Sequence, residues 1–191
     1  MKIGRTFFIA SLSLCLLAAL SYAAWSSRSA KAAPTGPVTP QYDPNTGRLA
    51  ELLWDSKGTG KVDTWSYMDG TRFKRIEIDR NGDGKPDRWE YYGEQNKLEK
   101  IGFSRLGDGK QDAWAYLVSE GVLSHIDIST HQDGKIDRVE YYTANVLARA
   151  EDDEDGDGKM DTWETYAGGR SSAQGRFPAV PSKLNEPATV R

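Results

Sequence analysis

Asp79-Arg80-Asn81-Gly82-Asp83-Gly84-Lys85-Pro86-Asp87 and, further along, Asp153-Glu154-Asp155-Gly156-Asp157-Gly158-Lys159-Met160-Asp161 share one pattern. Oxygen-bearing side chains fall on alternate positions and are followed by a glycine that permits a sharp turn. That spacing lets one short loop gather ligands around a hard cation. Weaker copies stand before and between the two stretches at even spacing, so the chain reads as a repeat array.

The period is set by Trp65, Trp89, Trp114, Val139 and Trp163, with steps of 24, 25, 25 and 24 residues. Regularity of this kind marks repeated supersecondary units. Each unit opens on a glycine-lysine pair (Gly60-Lys61, Gly84-Lys85, Gly109-Lys110, Gly134-Lys135, Gly158-Lys159) and places an aspartate two residues beyond it (Asp63, Asp87, Asp112, Asp137, Asp161). Tyr42 to Leu49 matches Tyr91 to Leu98, and Leu49, Leu52 and Trp54 echo Leu98, Ile101 and Phe103. The array is therefore expected over residues 41–167, five and a half units of about 25 residues each.

Inside a unit the pattern is strand, turn, strand. Thr64 to Met68 alternates around Trp65 and Tyr67, Asp69-Gly70 is a two-residue hairpin signal, and Arg72 to Ile78 continues with aromatic and β-branched residues. Trp89-Glu90-Tyr91-Tyr92 is too short between glycines and too aromatic for a helix. The expected fold is all-β: an antiparallel hairpin repeat, as a meander or solenoid-like sheet. Hairpin turns then fall at one end and the Asp/Gly loops along the opposite edge.

Both ends read as non-globular. Lys2 and Arg5 precede an almost wholly apolar run over residues 6–20, and Ser21-Tyr22-Ala23 places small residues where a signal peptidase reads, so residues 1–23 are expected to be a signal peptide. The rival reading is a retained anchor from about Thr6 to Trp25, close to the ~20 residues a bilayer needs. Lipidation of Cys15 is a lesser one, since Leu14 is too large for the usual acceptor motif. Residues 24–40 read as a flexible linker and 168–191 as a disordered tail. Cys15 is the only cysteine, so an exported domain lacks disulfides. Loss of Lys2 and Arg5 takes the net charge from −3 to −5, and nothing suggests a nucleic-acid surface.

The two best loops resemble EF-hand calcium loops: Asp79, Asn81, Asp83, Gly84, Asp87 and Glu90 fit the twelve-residue pattern, as do Asp153, Asp155, Asp157, Gly158, Asp161 and Glu164. Dockerins and thrombospondin type 3 repeats carry similar loops. Strands rather than helices flank these, so the opening motion of calcium sensors is not implied. A looser resemblance is to bacterial MORN-like hairpin repeats. The resemblance implies calcium held by Asp79, Asn81, Asp83, Asp87 and the Lys85 carbonyl in one loop, and by Asp153, Asp155, Asp157, Asp161 and the Lys159 carbonyl in the other. On a strand Glu90 lies about 10 Å beyond Asp87 and faces the other way, so Glu90 and Glu164 close the sphere only if the loops stay curled. Magnesium suits this donor set less, because it demands a near-octahedral shell and keeps its waters.

The bland reading of Asp and Gly is tight turns, and it suits the other loops. Ser104, Leu106 and Asp108, then Ser129, His131 and Asp133, offer too few carboxylates, and Lys57 sits at a ligand position in the first loop. About two calcium ions are expected. The Trp and Tyr rows read first as a packing stripe. As a glycan- or cation-binding platform they would make the chain a cell-wall-binding module with calcium as a brace. Catalysis is not expected: His125 and His131 are the only histidines, with no nucleophile elbow or phosphate loop beside them. The overall expectation is an exported bacterial calcium-binding repeat protein, periplasmic, surface-attached or secreted, whose partner is calcium, with an envelope glycan or protein as the further candidate.

Overall fold

In a computed structural model, residues 36–119 and 121–178 are described. They form one twelve-stranded antiparallel sheet in strict sequence order. The strands are β1 (Val38–Tyr42), β2 (Leu49–Trp54), β3 (Thr64–Asp69), β4 (Arg72–Ile78), β5 (Arg88–Tyr92) and β6 (Leu98–Phe103). They continue as β7 (Ala113–Ser119), β8 (Val122–Ile128), β9 (Arg138–Thr143), β10 (Val146–Asp152), β11 (Thr162–Ala167) and β12 (Arg170–Arg176). A single 3₁₀ turn at Glu94–Asn96 is the other regular element among the described residues. The all-β meander expected from the sequence is the fold.

Its limits differ from the expected ones. β1 begins inside the segment read as linker, and β12 lies in the segment read as tail. Arg170-Ser171-Ser172-Ala173-Gln174-Gly175-Arg176 has little strand propensity; pairing with β11 carries it. Gly175 is the fitted residue there, since a Cβ would come within 2.8 Å of the Trp163 ring. The segment read as a signal peptide, and most of the segments read as linker and tail, lie outside the described residues.

Every hairpin carries a register shift near its turn, where the second strand holds one extra residue: Ala50, Lys74, Glu99, Ser124, Ala148 and Ser172. A bulge of this kind bends the strand and restores a residue to the face it would otherwise leave. The spacing Leu98-x-x-Ile101-x-Phe103 encodes it, and Phe73-x-x-Ile76-x-Ile78 and Leu123-x-x-Ile126-x-Ile128 repeat it. Three-then-two spacing keeps all three side chains on one face only because the bulge absorbs a residue.

That face is the core. Ile101, Ala113, Ala115, Leu123, Ile126, Ile128 and Tyr142 are buried together, with Leu98, Phe103, Leu117 and Leu147 packed against them. Two polar ladders are built into it. Arg88 donates to Glu90 at 2.8 Å and the Tyr92 hydroxyl donates to the same carboxylate at 2.6 Å. Arg138, Glu140 and Tyr142 repeat the arrangement at 2.9 and 2.8 Å. Burial, then the Glu90 charge, pushes the Tyr92 phenol far above its ordinary range.

Hairpins are tied in pairs. Asn96 accepts from Phe73 N–H and donates to the Thr71 carbonyl of the preceding turn; Asn145 does the same with Leu123 and Gly121. The turn that holds Asn145 also strains Ala144, whose φ is +49°, a left-handed conformation that disfavours a Cβ. Ala144→Gly should therefore raise stability by about 0.5–1 kcal/mol in chemical unfolding, and an unchanged midpoint would show that the turn is not strained.

Candidate metal centre

Five nine-residue loops occupy one edge of the sheet: 55–63, 79–87, 104–112, 129–137 and 153–161, here loops one to five. Backbone bonds close each mouth and stitch it to its neighbour. The closing residue donates to the last carbonyl of the strand before the loop, as Asp87 N–H does to Ile78 at 2.9 Å. The opening residue donates to the previous loop's closing carbonyl, as Asp79 N–H does to Asp63 at 2.8 Å.

In loop two the buried opening carboxylate of Asp79 accepts Gly82 N–H at 2.6 Å and Gly84 N–H at 2.7 Å, one on each oxygen. Asp153 in loop five does the same with Gly156 at 2.7 Å and Gly158 at 2.8 Å. These four glycines hold φ of +75° to +90°, the left-handed region that glycine adopts at no steric cost. Asn81 accepts Asp83 N–H at 2.9 Å, and Asp155 accepts Asp157 N–H at 3.0 Å. One oxygen each of the closing residues Asp87 and Asp161 accepts the amides of the second and third loop residues, at 2.8 to 3.2 Å.

The loops therefore use their carboxylates first as turn formers, and the question is what remains. Among the described residues, the second oxygen of Asp87 and of Asp161 has no donor. In loops one, three and four a side chain also donates to the closing aspartate, although in loop three it shares one oxygen with the Arg105 amide and the other oxygen of Asp112 has no donor among the described residues. Asp63 takes the Ser56 and Thr64 hydroxyls at 2.9 Å each, Asp112 faces Arg105 Nε at 3.3 Å, and Asp137 takes His131 Nδ1 at 2.6 Å. Two of these loops also carry a cation to the next loop: Lys57 reaches the Asp79 and Arg80 carbonyls, and Arg105 the Ser129 carbonyl.

Loop five goes furthest, because Asp153, Asp155 and Asp161 each place a carboxylate oxygen within 4.8 Å of the other two. Loop two has Asn81 where loop five has Asp155. A cavity of about 280 Å³ lies beside the loop five cluster, lined by His131, Asp133, Asp153 and Asp155. Asp157 is not one of this group and instead meets Lys159 Nζ at 3.1 Å, a hydrogen bond that holds its carboxyl below the usual range. Asp83 accepts the Lys85 amide and the Asn81 side chain. Lys85 and Lys159 thus donate their amides to Asp83 and Asp157. Glu90 and Glu164 lie on β5 and β11; Glu90 is held by Arg88 and Tyr92, and Glu164 by Tyr166 at 2.6 Å. These ladders were missed in the sequence, although the recurrence of Arg-x-Glu-x-Tyr at Arg88 and Arg138 announces them.

The His131–Asp137 pair gives loop four a pH dependence. The Asp137 hydrogen bond, then its charge, raises the His131 imidazole above 6.5. Burial pushes the Asp137 carboxyl up, but bonds from Thr130 and His131 outweigh it and leave it below 3.8. The imidazolium's contribution is complete below pH 6.5 and lost as pH rises through its raised value. The carboxylate's contribution is present above pH 3.8 and lost as pH falls through its lowered value. Stability should peak between these limits. In a pH series of thermal unfolding His131→Gln should flatten the alkaline limb, and an unaltered limb would remove His131 from the account.

The opposite face of the sheet holds the rings. Strand pairing puts Trp65, Glu77, Trp89, Gly102, Trp114, Asp127, Val139, Glu151 and Trp163 in one row, and Tyr67, Arg75, Tyr91, Lys100, Tyr116, His125, Tyr141 and Arg149 in the next. Gly102 and Val139 apart, aromatic and charged residues alternate because they come from alternate strands. Arg75 lies 4.5 Å over the Tyr67 ring, Lys100 4.5 Å over Tyr91, and His125 stacks at 4.4 Å on Tyr116. One face of each of these three rings is thereby covered by its neighbour along the row. Gln111 bridges the Trp114 indole at 2.8 Å and the Tyr91 hydroxyl at 2.7 Å.

No family model and no curated protein matches the chain. Among solved structures it is similar to part of TarM, with 14% identity over 66% of this chain and 24% of that one and a TM-score of 0.43. Similar too is part of accessory secretory protein 1, 2 and 3 from Streptococcus pneumoniae, at 15% identity over 55% of this chain and 19% of that one, TM-score 0.41. The Gap123 glycosylation-associated complex from Streptococcus agalactiae matches at 17% identity over 54% and 20%, TM-score 0.38. The chain spans less than a quarter of the length of these solved chains.

Proposed function

We propose that the chain is an exported calcium-binding hairpin-repeat protein, without catalytic activity, that serves a structural or binding role at the cell envelope. The observation that carries the reading is the division among the loops. Loops one, three and four set a hydroxyl, guanidinium or imidazole of the protein against their closing aspartate. Among the described residues no side chain donates to the closing aspartate of loops two and five, which takes backbone amides alone, and loop five adds Asp153 and Asp155 within ligand distance. Three carboxylates so close repel one another, and a divalent cation is the partner that relieves this. Oxygen donors without nitrogen or sulfur favour a hard ion, and flexible coordination favours calcium. Export rests on Lys2, Arg5 and the apolar run after them.

Calorimetric titration with calcium should give about two sites of sub-millimolar to millimolar affinity, as in extracellular modules. Asp155→Ala should remove one and Asp87→Asn the other. Five equivalent sites, or none, would defeat the reading.

A further inference from the structure

We propose that Asn81 is a site of spontaneous covalent modification, at which loop two activates its own Asn81–Gly82 linkage toward a succinimide with release of ammonia. Asn81 is the one asparagine that a glycine follows; Asn45, Asn96, Asn145 and Asn185 precede Thr, Lys, Val and Glu. A glycine leaves its backbone nitrogen open to approach the preceding side-chain carbon, and the space around the Gly82 Cα is empty to 4 Å where a Cβ would stand.

Three hydrogen bonds assign the roles. The nucleophile is Gly82 N, and its proton already points at Asp79 Oδ1, 2.6 Å away, so a buried carboxylate stands ready as general base. Asp83 N–H donates to Asn81 Oδ1 at 2.9 Å, polarising the carbonyl and stabilising the charge that collects on that oxygen when Cγ becomes tetrahedral. Asn81 Nδ2 donates to Asp83 Oδ2 at 3.2 Å, which fixes the leaving nitrogen. The exposed side chain admits water.

Gly82 N bonds to Asn81 Cγ while its proton passes to Asp79. The Cγ–Nδ2 bond then breaks, and the nitrogen departs as ammonia with the proton returned by Asp79. Water opens the five-membered ring at either carbonyl, leaving an aspartate or its isomer linked through the side-chain carbon. The aspartate product would give loop two the donor set of loop five, where Asp155 stands in this place; that consequence rests on the calcium reading, whereas the conversion does not.

The test is peptide-level mass spectrometry of the full chain held near neutral pH with chelator, beside the same chain in denaturant. Conversion at Asn81 in the folded chain should run roughly a hundredfold faster than in denaturant, the scale of one positioned general base. Asp79→Asn should return it to the denatured rate, and Asp153→Asn, an equal disturbance of loop five, should leave it unchanged. A folded rate no faster than the denatured one, or Asp79→Asn without effect, would overturn the proposal. Because chelator is present throughout, failure of calcium binding leaves this result untouched.

Discussion

Glu140→Ala should lower the free energy of unfolding by about 3–5 kcal/mol, the cost of stranding one half of a buried ion pair. Glu140 is 2% exposed, on the core face between Ile126 and Ala150. It accepts from Arg138 and from the Tyr142 hydroxyl, and its loss removes a buried acceptor from both donors. Burial disfavours the Arg138 charge, but Glu140 and Asp152 outweigh that and hold its pKa well above the ordinary value. Asp152 stays within 2.8 Å of the guanidinium, which places the loss toward the lower end of that range. On the opposite face Glu151 pairs with Arg149, 39% exposed, and Glu151→Ala should cost under ~1 kcal/mol. Urea unfolding of the two variants decides it: equal losses would mean that the two faces are not different in kind.

If the proposed calcium sites are filled, removal of the ion should be the second large effect. A ligand that binds only the folded chain stabilises it by RT ln(1 + [L]/Kd), about 2.7 kcal/mol per site at a hundredfold excess over Kd. Two sites would then supply about 5 kcal/mol, a large share of the stability of a single domain. Chelator should lower the thermal midpoint strongly in the wild type, less in Asp155→Ala, and least in the double variant with Asp87→Asn. A midpoint that ignores chelator in the wild type would leave the carboxylates as turn formers.

Strand, turn and loop positions were legible because each unit repeats the same punctuation: Gly-Lys, an aspartate two residues later, then alternating aromatics. The ends were harder. β12 is built from Ser, Ala, Gln, Gly and Arg, whose side chains announce no strand, and its place follows from backbone pairing with β11. The bulges were present as three-then-two apolar spacing but are visible only once the register is known. Glu90 shows where local pattern misleads: its spacing from Asp79 matches a loop ligand, yet alternation along β5 turns it onto the core face beside Arg88 and Tyr92. Nor can spacing tell that the opening aspartate of loops two and five spends both oxygens on glycine amides, which makes the lack of a side-chain donor at the closing aspartate the informative feature.

Hydrogen exchange measured loop by loop, with calcium and with chelator, tests the division among the loops most directly. Repeat arrays couple mainly to nearest neighbours, so an ion lost from one loop should open that loop and its adjoining strands first. Chelator should release protection at the Gly82, Gly84, Gly156 and Gly158 amides, which are bonded to Asp79 and Asp153, while the Thr59 and Gly60 amides on Asp55 and the Thr130 amide on Asp137 keep theirs. Protection unchanged in all five loops would contradict the account, and so would a loss spread evenly over them.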